Sequence, residues 1–222
     1  MAVQRDPAAK RGHSMRATLK TAAKQLGLEL SDTQLDQLLA YLALLQKWNK
    51  VYNLTAVRDL AQMLSHHLID SLSVIAPLQR HGAPARLMDV GAGGGLPGVV
   101  IAICCPDTDV SCVDAVAKKA TFIQQVAAEL RLRNLHGVHS RVEQLSVEPF
   151  GVITSRAFAS LVDFTTLTRE HLATGAVWMA MKGQHPADEI AALPTDVDVF
   201  HVEQLTVPGL DAQRCIVWMR PR

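Results

Sequence analysis

Between Leu35 and Trp48 the apolar positions fall at Leu35, Leu38, Leu39, Leu42, Leu45 and Trp48, the spacing of one helical face. Ser31-Asp32-Thr33-Gln34 in front of them has the form of a capping box, so a helix is predicted from about 32 to 50. Arg58-Asp59 opens a second helix, in which Leu60, Met63, Leu64, His67, Leu68, Ser71 and Leu72 share a face and which Pro77 is expected to stop. After the polar linker Gln79–Pro84 the pattern changes. Short apolar runs that read as buried strands occur before Gly91, at Asp109–Asp114, at Leu135–His139, near Val152–Thr154 and at Ala176–Met181. Helical stretches at Val99–Ile103, Lys118–Leu130 and Leu161–Leu172 separate them, which is the alternation of a parallel α/β sheet. The last two apolar runs, 199–207 and 214–219, are joined by Pro208-Gly209-Leu210-Asp211. They lie too close for a helical crossover and are expected to pair as an antiparallel hairpin.

The chemistry concentrates at Asp89-Val90-Gly91-Ala92-Gly93-Gly94-Gly95-Leu96-Pro97-Gly98, a glycine-dense turn between the first strand and the next helix. Glycine permits a sharp turn, often at positive φ, and close approach of a ligand to the backbone. Pro97 suits a helix start, and the helix N-terminus is expected to face the ligand with unpaired donors. Gly93-x-Gly95-x-x-Gly98 matches the spacing of the dinucleotide fingerprint, but Gly91 directly follows the strand, and counted from there the third glycine position holds Leu96. Asp89-Val90-Gly91-x-Gly93-x-Gly95 resembles instead the first motif of S-adenosylmethionine methyltransferases, and Asp89 suits an ammonium better than a phosphate. Asp114 ends the second strand about 20 residues on, where either cofactor class places an acceptor for ribose hydroxyls. The C-terminal hairpin tips the choice, being expected of a methyltransferase sheet and not of a dinucleotide-binding domain. The predicted fold is therefore a Rossmann-like methyltransferase sheet, mostly parallel with a C-terminal antiparallel hairpin, preceded by a helical layer. Three segments follow: a basic, flexible leader over 1–30, a helical extension over 31–80 and the catalytic domain over 81–222.

Net charge on the 222 residues is +1, so any contact to a polyanion has to come from a local patch. The first 24 residues carry Arg5, Lys10, Arg11, Arg16, Lys20 and Lys24 against Asp6, with little apolar residue to bury. Cys104, Cys105, Cys112 and Cys215 lack Cys-x-x-Cys spacing and read as reduced thiols of a cytoplasmic protein. No segment has the length and apolarity of a membrane span, and a monomer is expected.

Lys47-Trp48-Asn49-Lys50-Val51-Tyr52-Asn53-Leu54-Thr55 mixes cations, aromatics and amides at a helix end. It suits RNA backbone and base stacking, but on local physics a helix C-terminus completed by Asn53 is the better reading. His66, His67 and Asp70 share a helical face; without a further ligand cluster, hydrogen bonding across the layer is favoured over a metal site. Arg156 follows strand four and Lys182 ends strand five, so both are expected at the carboxyl ends of the strands, lining one cleft with Gly91 and Asp114.

Together Trp48-Asn49-Lys50-x-x-Asn53-Leu54-Thr55, His67-x-x-Asp70-Ser71, the glycine turn, Ser140-Arg141-Val142-Glu143, Ser155-Arg156-Ala157-Phe158 and Lys182-Gly183 cover residues 31–222 in order. In these motifs the chain resembles the bacterial small-subunit rRNA guanine-N7 methyltransferase family, RsmG or glucose-inhibited division protein B. The resemblance implies methyl transfer from S-adenosylmethionine to N7 of a guanine in a conserved loop of 16S rRNA, with the rRNA or small subunit as partner and no metal. It implies that Gly91, Leu96, Val142, Glu143 and Arg156 contact the cofactor, with Asp114 at the ribose; the reading of the glycine turn adds Asp89 and Gly93 to that site. Arg156 and Lys182 would orient the base, and Lys50, Arg58 and Lys182 would meet the RNA. Two rivals are kept: a methyltransferase for another substrate, and a non-catalytic RNA-binding module on the same sheet.

Overall fold

A computed structural model describes the backbone of residues 7–222 and the side chains of residues 12–222. Helix α1 (Pro7–Gln25) lies against α2 (Asp32–Tyr52), whose start is closed by the capping box of Ser31 and Gln34. The flexible leader expected over 1–30 is thus a helix from Pro7 onward; residues 1–6, with Arg5 and Asp6, lie outside the described residues. Leu19, Ala22 and Ala23 form a small buried face at i, i+3, i+4, and Arg16 pairs with Asp32 and Asp36 of α2.

The second predicted helix is broken into α3 (Leu60–Met63), a π-helical turn over Leu64–Ile69, α4 (Asp70–Leu72) and α5 (Ile75–His81). Pro77 does not stop it. It sits in the first turn of α5, where the backbone N–H groups have no partner within the helix. The π turn carries His67 and ends at Asp70, the first residue of α4, and both side chains are buried.

The sheet contains β1 (Arg86–Val90), β2 (Asp109–Asp114), β3 (Leu135–His139), β4 (Phe150–Arg156), β5 (Leu172–Lys182), β6 (Val197–Leu205) and β7 (Arg214–Pro221). Helices α6 (Gly98–Cys104), α7 (Ala117–Glu129), α8 (Leu161–Thr168) and the short α9 (Ala187–Ala191) connect them. The strand order is β3-β2-β1-β4-β5-β7-β6, parallel from β3 to β5, with β7 inserted antiparallel between β5 and β6. This is the mostly parallel sheet with a C-terminal hairpin that the apolar runs predict. Alternate residues on the strands enter two cores. Leu87, Val110 and Val152 pack under α1–α7, while Met88, Val113 and Ile153 pack under α8. All four cysteines are buried and unpaired, and among the described residues no helix is long and apolar enough to cross a membrane.

One buried bond locks the helical layer onto the glycine turn. Tyr41 Oη donates to the Gly94 carbonyl at 2.6 Å, and a Cβ on Gly94 would stand 2.9 Å from Leu45 Cδ1. Tyr41→Phe leaves that carbonyl without its partner and is expected to cost about 1–3 kcal/mol. Urea unfolding checks this: the midpoint falls with an unchanged slope, whereas an unchanged midpoint makes the bond dispensable.

Candidate functional site

The strand order reverses between β1 and β4, and at the carboxyl ends of these strands two cavities adjoin. The smaller, about 350 Å³, runs from the end of β1 past Asp114 and Ala115 to Ser140–Glu143. The larger, about 610 Å³, lies between the π turn and the ends of β4, β5 and β7. Gly91 and Ala157 line both. Gly91 takes φ +67 with the Phe158 ring packed where a Cβ would stand, and Gly93 takes φ +58 beside open space.

Of the residues expected at a cofactor, Asp114, Val142 and Glu143 line the smaller cavity, and Gly93, Leu96 and Arg156 the larger. Asp114 is nearly enclosed. Its Oδ2 accepts from the Gly93 N–H at 3.0 Å, its Oδ1 from the Val116 N–H at 2.9 Å, and Lys119 stands 3.5 Å away. Each oxygen can accept a further hydrogen bond. Glu143 is exposed, and the Val142 carbonyl is fixed by a 2.8 Å bond from His171 Nε2.

Asp89 departs from expectation. It is fully buried, lines neither cavity, and its Oδ2 accepts from the Gly98 N–H at 2.8 Å; burial pushes its pKa up to about 7. Through that oxygen it braces the start of α6, while its buried Oδ1 has no partner among the described residues. The next donor, Val99 N–H, is taken by the Gly95 carbonyl, so two of the donors at the helix start are committed within the turn. A diphosphate needs such donors. Their commitment inside the turn fits the donor set to an amino-acid ligand rather than a dinucleotide.

The larger cavity is organised by Asp70, which is 2% exposed. Its Oδ2 accepts from Arg156 at 3.1 Å and its Oδ1 from Arg214 Nε at 2.8 Å; Arg156 also donates to the His66 carbonyl at 3.1 Å. His67 Nε2 meets Thr55 Oγ1 at 2.6 Å while its buried Nδ1 has no partner. Burial, reinforced by the Arg156 charge, lowers the His67 pKa to about 4. The histidine and the carboxylate thus make separate bonds across the layer, and among the described residues no three metal-ligating side chains converge.

The sign of the His67 effect follows. The unfolded chain binds a proton below pH 6.5 and the folded chain only below about 4, so stability rises with pH across that window. Relative to His67→Gln, the wild type is expected to gain up to about 3 kcal/mol between pH 4 and 6.5 and nothing further above. Denaturant titrations of both proteins across that range check it; a pH-independent difference places the imidazole in water.

The cations fall less neatly. Lys182 reaches the larger cavity, but its Nζ is held by Glu189 at 2.8 and 3.0 Å and by the Ala159 carbonyl at 3.2 Å. The Lys182 charge is therefore already matched. Lys50 is exposed on the last turn of α2 and lines neither cavity. Arg58, expected to face the cleft, lines a separate groove between α1 and α2. Trp48 packs on Phe122 with ring centres 5.6 Å apart, Asn49 ties Thr55 to Val57, and Asn53 closes α2 at φ +49. That motif is the helix terminus that local physics favours. Sequence reasoning missed Arg214 and the bridging role of Asp70. No local signal marks either: Arg214 reaches the cavity because β7, and not β6, pairs with β5, which sets Cys215 opposite Lys182.

A family model described as GidB, rRNA small subunit methyltransferase G, matches residues 34–217. "Ribosomal RNA small subunit methyltransferase G" of Leptothrix cholodnii is 66% identical over 209 residues, covering 93% of this chain and 96% of that one. The protein of the same name from Acidovorax ebreus is 64% identical over 218 residues, covering 94% and 96%. Among solved structures, the N-methyltransferase NodS of Bradyrhizobium japonicum, in complex with S-adenosyl-L-homocysteine, aligns with TM-score 0.56 at 13% identity over 79% of this chain and 98% of that one. TrmN from Thermus thermophilus aligns with TM-score 0.56 at 17% identity over 72% and 53%. At such identities the likeness is one of fold.

Proposed function

The chain belongs to the rRNA small subunit methyltransferase G family, and on that premise we propose that it transfers the methyl group of S-adenosylmethionine to N7 of a guanine in 16S rRNA. The observation that carries this reading is the pair of cavities meeting at Gly91 and Ala157, one edged by carboxylates and the other by arginines. Asp114 and Glu143 would hold the ribose of the cofactor beside Val142. The bare backbone of Gly91 and Gly93, with Leu96, would take its amino-acid end, and Arg156 would stand between cofactor and base. When bound, the cofactor supplies an electrophilic methyl on a sulfonium.

N7 of guanine carries its lone pair in the ring plane, so the chain has no proton to remove. Its task is alignment, for which proximity and orientation contribute up to about 7–11 kcal/mol in favourable cases. Arg156, fixed by Asp70, would meet O6 or a flanking phosphate while leaving N7 free. Lys182, its charge balanced by Glu189, shapes the rim and would steer the base. The reading takes the protein as a cytoplasmic monomer acting on rRNA or the small subunit.

Asp114→Asn keeps the size of the side chain and one acceptor oxygen. Loss of the charge-assisted bond to a ribose hydroxyl is expected to weaken S-adenosylhomocysteine by about 1.5–3 kcal/mol in calorimetry. Unchanged affinity removes Asp114 from the site. The reading itself is tested by methyl transfer to naked 16S rRNA, to assembly intermediates and to complete subunits, with the modified atom mapped. A single N7-methylguanine is expected; transfer to another atom, or binding of RNA without heat from S-adenosylhomocysteine, selects one of the rivals.

A further inference from the structure

Two guanidinium groups face the larger cavity, and one carboxylate, Asp70, serves both. Lys182 is already matched by Glu189, so the cavity wall carries an excess positive charge that no anion among the described residues meets. The two arginines differ in position. Arg156 ends β4, next to β1, and is followed by Ala157, which lines both cavities. Arg214 opens β7, three strand spacings or about 14 Å across the sheet from β1, and lines only the larger cavity. Its Nε is engaged by Asp70 at 2.8 Å and one terminal nitrogen by the Gln213 carbonyl at 2.8 Å; its other terminal nitrogen has no partner among the described residues. About a quarter of its side chain is accessible. A guanidinium braced through Nε with a terminal N–H free and solvent at one side is the form in which arginine grips an anionic oxygen.

We propose that Arg214 binds a backbone phosphate of the RNA substrate, and that Asp70 is the residue that positions it. The inference rests on the rRNA methyltransferase reading. The distance from β1 argues for the substrate over the carboxylate of the cofactor as the source of the anion, and the two sources separate experimentally.

Arg214→Ala and Arg214→Lys are compared with wild type in the full chain for kcat and KM toward rRNA over a range of salt, and for S-adenosylhomocysteine affinity by calorimetry. Arg214→Ala is expected to raise the KM for rRNA about 10- to 100-fold, with kcat little changed and S-adenosylhomocysteine affinity as in wild type. The slope of log kcat/KM against log salt becomes shallower by about 0.7, the value for one phosphate contact on a single strand. Arg214→Lys retains an ion pair to Asp70 and the wild-type slope. Its KM is expected to lie above that of wild type and below that of Arg214→Ala, which keeps the test open if truncation to alanine disturbs folding. An unchanged slope in Arg214→Ala, or a parallel loss of S-adenosylhomocysteine affinity, overturns the proposal, the second by placing Arg214 on the cofactor. A wild type that transfers no methyl to rRNA overturns the functional reading and this inference together. A wild type that does so, matched by both variants, overturns the inference alone.

Discussion

A Gly93→Val protein is expected to fold and to give no measurable heat with S-adenosylhomocysteine. Gly93 sits at φ +58, where an L-residue carries a strain of about 1–2 kcal/mol. Among the described residues beyond its chain neighbours, the one atom within 4 Å of an added Cβ is the Gly91 carbonyl oxygen at 3.9 Å. The protein therefore has room for the new side chain, and that room is the cavity itself. Strain of this size lowers Tm by about 2–8 °C in a chain of this length. The isopropyl group meanwhile stands where the backbone has to be approached, so binding and stability separate. A melt near wild type combined with wild-type affinity would move the cofactor away from the glycine turn. Gly91→Val is the contrasting variant: its Cβ meets the Phe158 ring, so it disturbs packing as well as binding.

Asp70→Ala is expected to cost about 3–5 kcal/mol in stability and to reduce rRNA methylation at least about 100-fold. Its carboxylate is buried and joins two arginines whose side chains keep about a quarter of their exposure. Removing one partner of such a cluster leaves like charges facing each other without compensation. Solvent at the arginine ends pulls the cost toward the lower limit. Asp70→Asn separates the two effects. It preserves shape and one acceptor, so much of the stability returns, whereas the arginines lose the charge that orients them. Unfolding midpoints and single-turnover methyl transfer measure the two quantities, and an Asp70→Asn protein with full activity would reduce Asp70 to a packing residue.

What the chain determines by itself is local. Leu35 to Trp48 at helical spacing, the capping box of Ser31 and Gln34, the apolar strand runs and the short Pro208–Asp211 connection each specify an element through its own period or closure. The glycine turn was legible for the same reason: positive φ at Gly91, Gly93 and Gly95 is a demand that residue type reveals. Which side chains meet is another matter, because it depends on strand order and on faces turned toward each other across many residues. Asp89 reads as a ligand group in the sequence, yet it is buried beneath the turn, with one oxygen taken by the Gly98 N–H at the start of α6. Lys182 reads as a free cation until Glu189 arrives on α9, an element too short for any periodicity to announce. Pairing of α1 with α2 likewise rests on three buried residues and a few ion pairs, too little apolar signal to overcome the polar composition of the segment. The union of Asp70 with Arg156 and Arg214, separated by 86 and 144 positions, exists only because the π turn is laid across the ends of β4 and β7. Tertiary structure decided that contact, since the long-range electrostatic partner of a buried carboxylate is set by where the backbone brings charge, and no local spacing encodes it.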